Sequence, residues 1–145
     1  MSNVKRSGVF AELWMDSATI AKVLGLSDYT IDISMGTVDV TDHDSAGWGE
    51  KMTTFAQWTA TAKFWYLMDA TTGVQETTQA KALTALPAGT VMLVEFRPNG
   101  TGSGKAKLSG SCRISKWATA APTSGAQNMD ISLEGIGALT VGTQT

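Results

Sequence analysis

The residues with the means to do chemistry crowd into one stretch, Asp42-His43-Asp44-Ser45-Ala46-Gly47. Acids at the first and third positions and glycine at the sixth match the opening of a calcium-binding EF-hand loop. The fifth position is Ala46, however, and the twelfth is Thr53, where a bidentate glutamate is required. Ser, His and Asp also stand close together here, but a hydrolytic triad draws its members from separate elements that aim them at one point. His43 is the only histidine, which excludes a histidine-built zinc site. A second imitation is Gly100-Thr101-Gly102-Ser103-Gly104-Lys105, which has the outline of a phosphate loop. That motif needs glycine where Asn99 stands, Ser or Thr where Ala106 stands, and a helix where a strand follows. Cys112 is the single cysteine; it permits no internal disulfide and reads as a small buried apolar residue. No catalytic constellation results. The residues describe a binding or structural protein with no cofactor and no metal.

The composition narrows this further. Across 145 residues, 11 Lys and Arg face 13 Asp and Glu, a formal net charge of −2. A protein that coats DNA or RNA needs a basic stripe to displace counterions, and none is present. Charged residues make up only 17% while Gly, Thr and Ala are abundant, a mix that suits strands and turns better than a helical bundle. The length fits one domain over 1–145, large enough to bury a core without staples. No run of about 18 apolar residues occurs, and residues 1–6 are too short and polar for a signal peptide, so a soluble protein made inside the cell is expected.

The elements that would position the 42–47 stretch follow from the apolar pattern. Residues 8–15 read as a first strand, with a turn at Asp16-Ser17 and 19–24 returning. Residues 28–35 alternate, with Tyr29, Ile31, Ile33 and Met35 against Asp28, Thr30, Asp32 and Ser34, as in a half-buried antiparallel strand. Thr37-Val38-Asp39-Val40-Thr41 extends it before the chain enters a polar, glycine-containing loop. The segment 36–52, GTVDVTDHDSAGWGEKM, is thus a long protruding loop or arm with one large aromatic, Trp48, between two glycines. Its receiver is either the domain's own core or a neighbouring molecule.

Residues 54–68 form the longest extended run, with Ala56, Trp58, Ala60, Ala62, Phe64, Tyr66 and Met68 on one face. Trp65 and Leu67 make its end apolar on both sides. A helix over 73–87, with Ala80, Leu83 and Leu86 or Pro87 at helical spacing, is expected to sit there and to end at Pro87 and Gly89. Three strands follow: 90–97, then 105–117 after a flexible loop at 98–104, then 128–134. The last two form a hairpin with Lys and Arg on one polar face and Asp and Glu on the other. The tails, 1–7 and 140–145, carry small polar residues without periodicity and are expected to be poorly ordered in a monomer. The fold class is mainly β: an antiparallel β-sandwich or barrel with one packed α-helix and a long extended loop.

Asp39-Val40-Thr41, Asp42-His43-Asp44-Ser45 and Gly47-Trp48 resemble the "D-V-T-x-x-D-S-x-G-W" signature of the major tail tube proteins of long-tailed phages. Gly25-Leu26-Ser27-Asp28-Tyr29-Thr30, the opening Gly8-Val9 hairpin and the closing Leu133-Glu134-Gly135-Ile136-Gly137 are similar too, so the resemblance spans 8–137. It implies a virion protein that self-assembles into six-membered rings stacked as a tube, with inner sheets joined into one barrel around a channel for DNA. It also implies assembly in the host bacterial cytoplasm, tape measure, terminator and distal tail proteins as partners, DNA that passes without specific binding, and no membrane. Within the arm, Val38, Val40, Asp42, Asp44 and Trp48 are the candidate inter-subunit contacts.

Two other readings stand beside this one. The first is a tube from a contractile tail or injection machine. The second, of a different class, is a monomeric carbohydrate- or protein-binding β-sandwich using Trp14, Trp48, Trp58, Trp65 or Trp117 as platforms. A size measurement separates rings and filaments from a 15.3 kDa monomer.

Overall fold

Alternation at a period of two runs through most of this chain, and it yields strands on a curled sheet whose inner side is apolar. The computed structural model describes residues 5, 7–68 and 70–145. Among the described residues six strands form: β1 (Glu12–Asp16), β2 (Leu26–Asp39), β3 (Lys51–Trp65), β4 (Met92–Arg97), β5 (Ala106–Ala120) and β6 (Asn128–Thr143). One helix, α1 (Thr77–Ala88), precedes β4. The strands make a single antiparallel sheet in the order β1-β4-β5-β6-β3-β2.

The sheet curls over until its two halves face each other. Tyr29 of β2 and Phe96 of β4 have three strands between them in the sheet order, yet their rings lie 5.2 Å apart. Trp58 of β3 meets Phe96 edge-on at 6.2 Å. The enclosed core contains Leu13, Phe64, Phe96, Cys112, Met129, Ile131 and Leu133, each almost fully buried. Burying one such side chain stabilises the fold by about 1.5–3 kcal/mol. Removal from water also pushes the Cys112 thiol up to about 12, so it stays protonated. Gly135 has a packing reason: a Cβ there would lie 2.2 Å from Cε2 of Trp58, so the indole lies directly on the β6 backbone.

α1 differs from expectation in four ways. Its buried positions are Gln79, Ala82 and Ala85, while Ala80, Leu83 and Leu86 are only half-buried. It packs against β5 and β1. Its link to the end of β3 is polar rather than apolar, because Gln79 Nε2 donates to the carbonyls of Leu24 and Trp65, both at 2.8 Å, and its Oε1 accepts from Leu67 N at 3.1 Å. The Trp65 side chain stays about half exposed. Pro87 does not end the helix, which runs to Ala88 and is closed by Gly89 in the left-handed region at φ 64°. At the other end Glu76 caps it, accepting from the amides of Thr78 and Gln79. Burial alone would raise the Glu76 carboxyl, but these bonds and the Thr78 hydroxyl hold it below its ordinary value.

The expected first hairpin is also shorter than the pattern suggested. Gly8–Phe10 is a 3-10 turn capped by the Ser7 hydroxyl, and 19–24 touches β1 through a single bridge, Trp14 to Lys22. Of the N-terminal tail, 1–4 and 6 lie outside the described residues.

The C-terminal tail corrects its expectation outright. β6 continues to Thr143, and Gln144 is buried. The Gln144 side chain donates to the carbonyl of Gly100 at 2.8 Å and accepts from Gly102 N at 3.1 Å, while its main chain pairs with Lys105 and Gly104. The loop after β4 is therefore held by the chain's own end. Gln144→Ala strands a carbonyl and an amide, at about 1–3 kcal/mol. Urea denaturation should show that loss, with faster amide exchange at Gly102. An unchanged midpoint would refute it.

Candidate assembly site on the projecting hairpin

β2 and β3 pair from Leu26 opposite Phe64 out to Asp39 opposite Lys51. β3 pairs with β6 only over Thr59–Trp65. Residues 34–39 and 51–57 thus leave the body of the sheet as a two-stranded ribbon, an arrangement that has little stability on its own in water. The ribbon is carried by its attachment to the core and finished by local bonds. Thr41 Oγ1 accepts from Glu50 N at 2.7 Å, and Val40 N donates to the Glu50 carbonyl at 3.0 Å. The Thr41 hydroxyl and amide both donate to Asp39 and hold its carboxyl below the ordinary value.

At the tip, Asp42 Oδ1 accepts from Asp44 N at 2.9 Å, and a 3-10 turn at His43–Ser45 follows. Ala46 and Gly47 then take φ of 53° and 85°, a double left-handed step that reverses the chain. This presents Trp48 to solvent with 79% of its surface exposed. The chemistry-bearing stretch of the sequence is therefore a turn. Asp42 and Asp44 are bonded within it, and among the described residues no cluster of His, Cys, Asp or Glu can hold a metal.

A bulge divides the ribbon. Between Met35 and Thr37 on β2 lies Gly36, while β3 places Thr54 and Phe55 opposite it. A Cβ on Gly36 would meet Thr54 Oγ1 at 2.3 Å, so a larger residue here would have to turn the Thr54 hydroxyl aside. The extra β3 residue moves the apolar set from one face to the other. Ile33 and Met35 share the face of the core, whereas Val38, Met52 and Phe55 lie on the opposite side. All are exposed, Ile33 by 63% and Phe55 by 87%. An aliphatic and aromatic surface of this size on a thin ribbon marks a place where another molecule sits.

The family model for phage tail tube proteins matches residues 12–141. This chain belongs to the phage tail tube protein family. No curated protein sequence matches it. Among solved structures, the tail tube chain is similar to the tail of an empty gene transfer agent particle refined with C6 symmetry. There the TM-score is 0.77 at 18% identity, covering 96% of this chain and 100% of the other. It is similar to the SPP1 tail tube, with TM-score 0.70 at 13% identity over 95% and 79% of the two chains. It is also similar to a chain of the anti-feeding prophage baseplate, with TM-score 0.68 at 8% identity over 99% and 98%.

The structure brings the five residues singled out from the sequence onto one arm. Val38 lies on β2, Val40 just beyond its end, and Asp42, Asp44 and Trp48 at the tip. Sequence reasoning passed over Phe55 and Met52 in this tail tube protein. The signal was available: Phe55 is an aromatic on the side of β3 that continues with Gln57, Thr59, Thr61 and Lys63. Two of the other tryptophans, Trp58 and Trp14, are poor platforms for a sugar. Trp58 is buried, and Trp14 is bonded to Glu12 and covered by the Arg97 guanidinium at 4.1 Å.

Proposed function

We propose that this tail tube protein forms six-membered rings that stack into the virion tail tube, with the β2–β3 arm as the connector between subunits. The observation that carries the reading is the arm itself, a ribbon whose Met35, Val38, Met52, Phe55 and Trp48, with Ile33 at its base, are exposed in the single chain. Its contacts are Val38, Val40, Asp42, Asp44 and Trp48, and the whole chain, 1–145, acts as one tube domain. DNA passes through the channel without specific binding. Assembly takes place in the host bacterial cytoplasm, where tape measure, terminator and distal tail proteins meet the tube. The family's role is structural, and this chain serves it without catalysis. The likeness to an anti-feeding prophage baseplate chain favours a second reading, a tube subunit of a contractile tail or injection machine. Electron microscopy of the purified protein tests the first claim: tubes with a central hole support it, and a protein that stays near 15.3 kDa at every concentration overturns it.

Trp48 is the anchor in this reading. A buried indole contributes several kcal/mol at an interface, whereas an exposed ion pair contributes about 0–1 kcal/mol. Trp48→Ala should therefore raise the concentration needed for tubes by about tenfold or more, and Asp44→Ala by much less. Tubes should also persist in about 1 M salt, where charges are screened beyond about 3 Å. Sedimentation across a salt series reads both results.

A further inference from the structure

Of the three asparagines in the chain, only Asn99 is followed by glycine. In that pair a side-chain amide turns most readily on its own backbone, because glycine has no side chain to obstruct attack by its nitrogen. Asn99 and Gly100 belong to the turn that follows β4. Gly100 N donates to the Arg97 carbonyl at 3.2 Å, which makes Arg97-Pro98-Asn99-Gly100 a four-residue turn. Pro98 suits its second position, and Asn99 is not among the residues with positive φ, so the turn is type I, with the ψ of Asn99 about 0°. The Gly100 carbonyl accepts from Gln144 Nε2 at 2.8 Å, and Gly102 N donates to Gln144 Oε1 at 3.1 Å. Asn99 Oδ1 is buried with no hydrogen-bond partner among the described residues, so nothing it bonds to accounts for an asparagine here.

We propose that Asn99–Gly100 is a latent self-modification site, held unreacted by its turn and by Gln144. It needs no second copy of the chain and stands apart from assembly. In the reaction Gly100 N bonds to Asn99 Cγ and the Cγ–Nδ2 bond breaks. The proton of Gly100 N leaves with the amide nitrogen as ammonia, and a five-membered succinimide remains. Water then opens either carbonyl of that ring, giving aspartate or, with the main chain rerouted through the side chain, isoaspartate. At ψ about 0° the Gly100 nitrogen eclipses the nitrogen of Asn99, not its Cβ, so Cγ is out of reach. Bringing the two together swings the Gly100 peptide round, which breaks the bond to Arg97 and pulls the Gly100 carbonyl off Gln144. Both products strain the loop. Aspartate places a carboxylate where an oxygen is already buried and unpaired, which is costly. Glu12 lies close by, since a Cβ on Gly100 would be 3.7 Å from its Oε2. Isoaspartate adds a methylene to the main chain of a tight turn. Either change loosens the 98–104 loop from the end of the chain.

Ageing the protein in mildly alkaline buffer, followed by peptide mapping with mass spectrometry, tests the lock. Conversion of Asn99 to aspartate and isoaspartate should be rapid in the urea-unfolded parent. In the folded parent it should be slower by about a hundredfold or more, because ring closure waits on opening of the loop. Gln144→Ala should react about tenfold faster than the folded parent, the factor that one or two lost hydrogen bonds supply. Gln144→Glu keeps an acceptor for Gly102 and loses the donor to Gly100, so it should show a similar rise without loss of volume. Far-ultraviolet spectra establish that both variants are folded, and the ratio for the parent needs no substitution at all. A folded parent that reacts as fast as the unfolded chain overturns the lock, as do folded variants no faster than the parent. An unfolded chain in which Asn99 keeps its amide overturns the site itself.

Discussion

A chain in which residues 42–49 are replaced by Asn-Gly is expected to fold like the parent and to form no tubes. Thr41 and Glu50 already exchange bonds across the ribbon, so a two-residue turn with the left-handed preference of Asn-Gly closes it without strain. No apolar residue of the excised segment is buried; Trp48, its one large side chain, is 79% exposed. Stability should change by about 0.5 kcal/mol or less, as for surface changes generally. Assembly should fall by more than about a hundredfold, because every subunit loses its aromatic anchor at once. Thermal unfolding and electron microscopy of one preparation read the two halves. Tubes of normal length from this chain would show that the arm tip connects nothing.

The largest effect on stability is expected at Gln79. Its side chain is fully buried and bonds to three main-chain groups, the carbonyls of Leu24 and Trp65 and the amide of Leu67. These come from the turn before β2 and the end of β3, so one amide joins both to α1. Gln79→Ala leaves all three unpaired, and each costs about 1–3 kcal/mol. A total near 4 kcal/mol lowers the melting temperature of a domain this size by roughly 10 °C. Gln79→Leu restores volume and none of the bonds, so it should recover little. If either variant loses less than about 1 kcal/mol, the three backbone groups have other partners and the joint is not at Gln79.

How much of this could be read from the sequence depends on what covers each residue. Ala60, Ala62, Phe64, Met129, Ile131 and Leu133 are buried as their alternation predicts, because the chain's own sheet supplies the other wall. Ile33 and Met35 follow the same alternation and are exposed; a period of two tells which face is apolar and not whether the cover belongs to the same chain. The arm was legible as a turn-rich excursion ending in Trp48. Its bulge was not, since two residues opposing one is a property of the pairing and leaves no mark on either strand alone. Gln79 and Gln144 were missed for a related reason: a glutamine that satisfies backbone groups has the same letter as one in solvent. On α1 the apolar spacing pointed to Ala80, Leu83 and Leu86, while the tighter contact uses the alanines at 82 and 85.

The acidic edge of β2 also decides which symmetry is open to the protein. Two copies approaching edge to edge through β2 would be related by a twofold axis, an isologous contact that sets Asp28 and Asp32 of one against the same residues of the other. Two β5 ends meeting that way would oppose Arg113 and Lys116 with themselves. Both self-complementary dimers carry like charges at close range, which is destabilising on a sheet. A head-to-tail contact would set no edge against itself and would leave one surface of each subunit for the next. Such growth ends only when the rotation per step completes a full turn. The like charges of each edge thus disfavour the one kind of contact that would let the chain stop at two.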